Sequence, residues 1–133
     1  MDIINVVCGI IFKENKVFIC KRKNKKPLAG YWEFPGGKVE LNEDLKMSLL
    51  RELKEELEMV VTIEDHYLTT IHNYSDFTIK LIAFKCFIVG NHFVLNEHDQ
   101  YNWVNVSELS NYKLAPADVP IANSLALDIN NSI

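Results

Sequence analysis

Ile3 to Phe12 is an almost unbroken apolar run near the start of the chain. Closed by Lys13-Glu14-Asn15, such a run reads as a buried strand, and Lys16 to Lys21 alternates as a second strand across a Glu14-Asn15 turn. The two form a hairpin. The run is far shorter than the ~20 residues that cross a bilayer, and Met1-Asp2-Ile3 lacks the basic opening of a signal peptide. A membrane partner is therefore not expected.

The basic run Lys21 to Lys26 leads to Pro27 and Gly30, then to a short apolar segment, Tyr31 to Phe34, which Pro35-Gly36-Gly37 cuts off as a loop. From Glu43 to Leu57 the pattern turns helical. Lys46, Leu49, Leu50, Leu53 and Leu57 share a side, Asn42 is placed to cap, and Glu43 and Asp44 suit a helix N-terminus. Val60 to Thr70 and Phe77 to Val89 read as strands joined around Asn73 to Asp76, and Tyr101 to Val106 as another. Ser107 is placed to cap a short helix through Leu109, and Asp118 to Asn130 reads as a terminal helix with Pro120 in its first turn. Strands, helix, strands, helix is the order of a mixed sheet with helices packed on it. Apolar residues make up 48% of the 133, enough to build one core, and no linker or repeat divides residues 1–133 into more than one domain. With 14 Lys+Arg against 18 Asp+Glu, a nucleic-acid polymer is an unsuitable partner. Cys8, Cys20 and Cys86 stand singly in apolar stretches, which suggests neither disulfides nor a zinc site and fits the cytoplasm. His66, His72, His92 and His98 show no ligand spacing.

Chemistry concentrates after the Gly-Gly pair. In a helix Glu52, Glu55 and Glu56 are spaced i, i+3 and i+4 and so project into one sector of roughly 100°. Clustered carboxylates repel unless a cation neutralises them, and hard oxygen ligands suit Mg²⁺ or Mn²⁺.

From Gly37, five residues lead to Glu43 and seven more to Arg51, followed by Glu52, Leu53, Lys54, Glu55, Glu56, Leu57, Glu58 and Met59. This segment, 37–59, resembles the Nudix box, G-x5-E-x7-R-E-U-x-E-E-x-G-U with U aliphatic. Glu58 departs from it, standing where the family has glycine, so either a left-handed helix terminus is strained there by roughly 1 kcal/mol or the helix ends differently.

The resemblance implies an α+β Nudix fold, an α/β/α sandwich around a mixed sheet, and hydrolysis of a nucleoside diphosphate linked to another moiety. It implies metal ligation by Glu52, Glu55, Glu56 and the Gly36 carbonyl, orientation of Glu52 by Arg51, and support of the loop by Glu43. Glu52 is then the expected base, in preference to Glu56. Tyr31 to Glu40 and Leu114 to Pro120 are similar to segments of the MutT-like branch, the latter most of all to its CTP pyrophosphohydrolase-like members. There Glu97 matches an auxiliary metal ligand and Asp118 a base-facing residue, although Asp118 also suits a helix cap. The resemblance thus implies a nucleoside triphosphate substrate, cleaved to the monophosphate and pyrophosphate in nucleotide-pool sanitation. An ionised Asp118 only accepts hydrogen bonds, which fits the cytosine amino group and the N7–H of an 8-oxo-purine alike. The sub-branch tilts the choice to cytosine. Glu33 is expected to reach the nucleoside as an acceptor, Phe34 either to stack on it or to belong to the core, and Arg22 and Lys38 to meet the phosphates. An 8-oxo-dGTP diphosphatase and a non-catalytic Nudix-like binding module are the alternatives, and the chain is expected to be a monomer or weak homodimer.

Overall fold

The computed structural model describes residues 2–23 and 29–130; of the basic run Lys21 to Lys26 with Pro27, positions 24–28 lie outside the described residues. The elements in order are β1 (Ile3–Lys13), β2 (Lys16–Arg22), β3 (Trp32–Glu33), β4 (Gly36–Lys38), α1 (Leu45–Leu57), β5 (Val61–Asn73), β6 (Thr78–Ile88), β7 (His98–Asn105), a 3-10 helix (Val106–Asn111) and α2 (Val119–Asn130).

The apolar run is the centre of the sheet. β1 pairs in parallel with β6 from Ile3↔Thr78 to Phe12↔Phe87, while β5 lies antiparallel beyond β6. On its other side β1 meets β2 only at the hairpin end, Phe12↔Val17 and Lys13↔Lys16, and β4 takes the place left at Val6 to Cys8. β2 diverges from β1 to pair with β7 and β3. Because a strand alternates its side chains, β1 feeds two cores. Val7 and Ile11 pack with Leu49, Leu53 and Leu57 of α1, while Cys8 and Ile10 pack with Ile121, Ala122 and Leu125 of α2. The result is an α/β/α sandwich on a mixed sheet. No helix among the described residues is long and apolar enough to cross a membrane.

Several local expectations are corrected. Gly36–Lys38 is a strand, not a break: a Cβ on Gly36 would stand 1.9 Å from the Val7 carbonyl oxygen, so only glycine lets the backbone close on β1. Asp44, not Asn42, caps α1, its carboxylate accepting from Met47 N, while Asn42 is left-handed at φ 63. Leu50 is 37% exposed, and the buried face of α1 is Ser48, Leu49, Leu53 and Leu57. The 3-10 helix begins before Ser107, with Glu108 returning its side chain to the Asn105 N–H. At its other end α1 does finish in the left-handed region, Glu58 lying at φ 49, ψ 33 with its N–H on the Lys54 carbonyl.

Candidate active site

Burial of Leu49, Leu53 and Leu57 fixes the rotation of α1, and the neighbouring face carries Glu52, Glu55 and Glu56. Arg51 ties that face to the loop before it. Its Nε and Nη2 donate to the two oxygens of Glu43 at 2.7 and 2.9 Å, Nη1 to Glu52 at 2.9 Å and Glu55 at 3.2 Å, and Nη2 also to the Lys38 carbonyl at 3.2 Å. The guanidinium holds Glu43 down to about pKa 2. Gly37 admits this arrangement, since a Cβ there would meet the Glu52 carboxylate at 2.2 Å.

A second cluster forms where β2, β3 and β7 run together. Arg22 faces His98 across β2–β7, beside a register shift at Lys21/Arg22, and Glu33 arrives from β3, whose register sets it opposite Cys20. Glu33 accepts from Arg22 Nη1 and from His98 Nε2, each at 2.9 Å. The segment before β7 is strapped to the end of α1: Val94 N donates to Leu57 O, Asn96 N to Glu56 O and Asn96 Nδ2 to Glu55 O. Those are carbonyls the helix cannot satisfy itself, and the strap delivers Glu97 to the acidic face.

Between the clusters lies a cavity of about 220 Å³ lined by Arg22, Glu33, Glu52, Glu55, Glu56, Glu97 and His98. Burial pushes Glu56 up to about pKa 8, with Glu33 and Glu52 adding to it, and burial also raises Glu52 against the pull of Arg51. Glu56 Oε2 is buried with no hydrogen-bond partner among the described residues. A carboxylate left so costs free energy that a cation would recover.

The NUDIX domain family model matches residues 6–124. The chain belongs to the Nudix family. It is 35% identical to the CTP pyrophosphohydrolase of Escherichia coli over 91% of this chain and 90% of that one, and 34% identical to an 8-oxo-dGTP diphosphatase of Buchnera aphidicola over 94% and 95%. The crystal structure of the MutT protein of Methanosarcina mazei superposes with a TM-score of 0.86 at 25% identity, covering 99% of this chain and 97% of that one. The protein is a Nudix hydrolase of the MutT-like kind.

Nudix hydrolases generally use a divalent metal, and this site fits one: its donors are carboxylate oxygens, one of them buried and without a partner among the described residues. Glu52, Glu55, Glu56 and Glu97 would hold it. Of the other residues named from the sequence, Gly36 stands in β4 one residue before the glycine that touches Glu52, and Lys38 is exposed and outside the cavity lining, with its carbonyl taken by Arg51. Phe34 is a core residue. It is 2% exposed and packed on the α2 side, so its ring offers no stacking face, and its N–H donates to the buried Asp118 Oδ2 at 2.9 Å. The first amides of α2, at Ile121 and Ala122, reach the Asp118 backbone carbonyl. Burial, and then Glu33, pushes the Asp118 carboxyl well above its usual range. His98 is the residue sequence reasoning missed, adjacency to Glu97 being its one signal.

Proposed function

We propose that the chain is a metal-dependent nucleoside triphosphate pyrophosphohydrolase that converts (d)NTP and water to (d)NMP and pyrophosphate, favours cytosine nucleotides (CTP, dCTP and modified dCTP), and sanitises the nucleotide pool of the cytoplasm as a monomer or weak homodimer. The observation that carries the reaction is the cavity in which four glutamates, 52, 55, 56 and 97, face Arg22. Neither charge alone suits a triphosphate. Carboxylates without a cation would repel it, whereas Mg²⁺ or Mn²⁺ held by them and by the Gly36 carbonyl would bridge phosphate oxygens, polarise phosphorus and acidify the attacking water. Within the chain, Glu52 acts as base, helped by the burial that raises its proton affinity, and Arg51 keeps it in place. Glu43 orients Arg51 through both oxygens, and Arg22 meets the phosphates.

Similarity to a CTP pyrophosphohydrolase supports the cytosine preference. The 34% identity to an 8-oxo-dGTP diphosphatase supports the 8-oxo-dGTP reading as the alternative. The test is kcat/KM on CTP, dCTP, 5-methyl-dCTP, dTTP and 8-oxo-dGTP with product identification, for the wild type and Asp118→Asn. Pyrophosphate release with a cytosine preference that Asp118→Asn reduces by roughly 5- to 100-fold is the expected result. Release of orthophosphate from the triphosphate overturns the bond assignment, and equal proportional losses on every nucleotide remove Asp118 from base selection.

A further inference from the structure

Glu33 links two side chains that differ sharply in burial. His98 is 2% exposed in its side chain, Glu33 12% and Arg22 32%, so the contacts run from the interior to the cavity wall. We propose that His98 is a positioning residue for phosphate binding: it holds Glu33, and Glu33 holds the Arg22 guanidinium toward the cavity. This rests on the triphosphate reading above.

A carboxylate has no hydrogen to give when it is ionised, so the His98 ring nitrogen at 2.9 Å carries the one they share. The other ring nitrogen, Nδ1, is buried with no partner among the described residues, which leaves the Glu33 contact as the ring's anchor. Held by Arg22 alone, the Glu33 carboxylate could turn about its soft terminal torsion. The His98 contact on the second oxygen opposes such a turn. Arg22 is 32% exposed in its side chain and makes, among the described residues, one side-chain bond, Nη1 to Glu33, so its fork is not consumed by the protein. A planar guanidinium set in one orientation matches phosphate oxygens better than a swinging one. The same cluster has a second chemical possibility, because donor atoms of Cys20, Glu33 and His98 lie within 4.8 Å of one another. Both Glu33 oxygens are already engaged and Arg22 brings a positive charge to 2.9 Å, which opposes a second cation.

The test compares KM and kcat for CTP at saturating Mg²⁺ in the wild type, His98→Leu, His98→Gln, Glu33→Gln, Arg22→Ala and the Arg22→Ala/His98→Leu double variant, with Tm for each. His98→Leu and Glu33→Gln are expected to raise KM roughly tenfold with kcat within about threefold, as for a lost contact shared by ground and transition state. His98→Gln, whose amide can donate from the same reach, is expected to restore KM to within about threefold of wild type. Adding His98→Leu to Arg22→Ala should raise KM no further. Wild-type KM in both His98→Leu and Glu33→Gln, a lowered Tm with unchanged KM, or multiplicative effects in the double variant overturn the proposal. Should His98→Leu not fold, Glu33→Gln decides the matter alone. Calorimetric binding of inorganic pyrophosphate with Mg²⁺ is measured on the same proteins. Lack of triphosphate turnover by the wild type then counts against the reaction, while the ratio of wild-type to variant pyrophosphate affinity still decides the positioning role, and equal affinities overturn it.

Discussion

Arg22 lines the cavity, Arg51 holds two of the glutamates that line it, and the two arginines are used in opposite ways. The five N–H donors of Arg51 are all engaged, by Glu43 twice, Glu52, Glu55 and the Lys38 carbonyl. Arg22, 32% exposed in its side chain, makes among the described residues one side-chain bond, Nη1 to Glu33 at 2.9 Å. One guanidinium is part of the frame, and the other has donors left for a ligand. The acids divide in the same way: Glu43 is held ionised by Arg51, whereas Glu56, away from it, stays protonated until about pH 8.

The largest effect should come from the acid that neither arginine satisfies. Glu56→Gln keeps the volume and removes a ligand charge, so kcat should fall by ~10²-fold or more at saturating Mg²⁺, as should turnover in EDTA. Metal binding to the wild type should strengthen as pH rises toward 8, because the proton on Glu56 must leave first. Without metal the sign of the stability change is opposite. A carboxyl raised from its unfolded value of 4.5 to about 8 binds more protons folded than unfolded, so metal-free stability should decline from pH 4.5 to 8, and less so in Glu56→Gln. Wild-type turnover by the Gln variant would end the case for Glu56 as a ligand.

Exchanging the arginines for lysine should separate frame from ligand contact. Arg51→Lys cannot bridge Glu43, Glu52 and Lys38 at once, and should cost about 2 kcal/mol of stability and ~10-fold or more in kcat. Glu43 also gives that frame a pH signature. Its depressed pKa contributes stability that is present above about pH 4.5 and lost toward pH 2, so acid unfolding in that window should flatten in Arg51→Lys. Arg22→Lys should instead raise KM by roughly 3- to 10-fold with Tm nearly unchanged. If both substitutions lower Tm equally and neither separates KM from kcat, the contrast between them fails.

What the sequence disclosed follows the same division. The frame was legible because helical periodicity and the fixed box spacing are local: α1, its three acids and the Arg51–Glu43 distance all lie within one continuous segment. The β1–β2 hairpin and the β5–β6 pair were legible for the same reason. On the other side Arg22, Glu33 and Glu97 were named singly, but His98 and the contacts that join them were not, because that side is assembled by register between distant strands. Nothing near His98 in the chain says that a β2–β7 register will set it opposite Arg22, and nothing near Gly36 says that β2 will leave β1 and open a place for β4. Phe34 was left open between stacking face and core since a two-residue strand gives too short a pattern to tell which face its neighbour takes.

The smallest effect tests how far the frame insulates the acids from the helix end two residues beyond them. Glu58 is left-handed where the family has glycine, a conformation that costs a residue with a Cβ and costs glycine almost nothing. Its side chain is exposed, with a 3.7 Å contact to His92 that water weakens. Glu58→Gly should therefore stabilise the fold by about 0.5–1 kcal/mol in denaturant titrations, the relief of strain exceeding the added freedom of the unfolded chain. Because Arg51 fixes Glu52 and Glu55 from the N-terminal side, and the Val94 to Asn96 strap holds the carbonyls of the last turn, kcat should stay within about twofold. A more stable variant with an altered kcat would mean that the strained terminus helps to aim Glu56. A less stable one would mean that the left-handed residue is relaxed by its contacts and that the glycine was exchanged without cost.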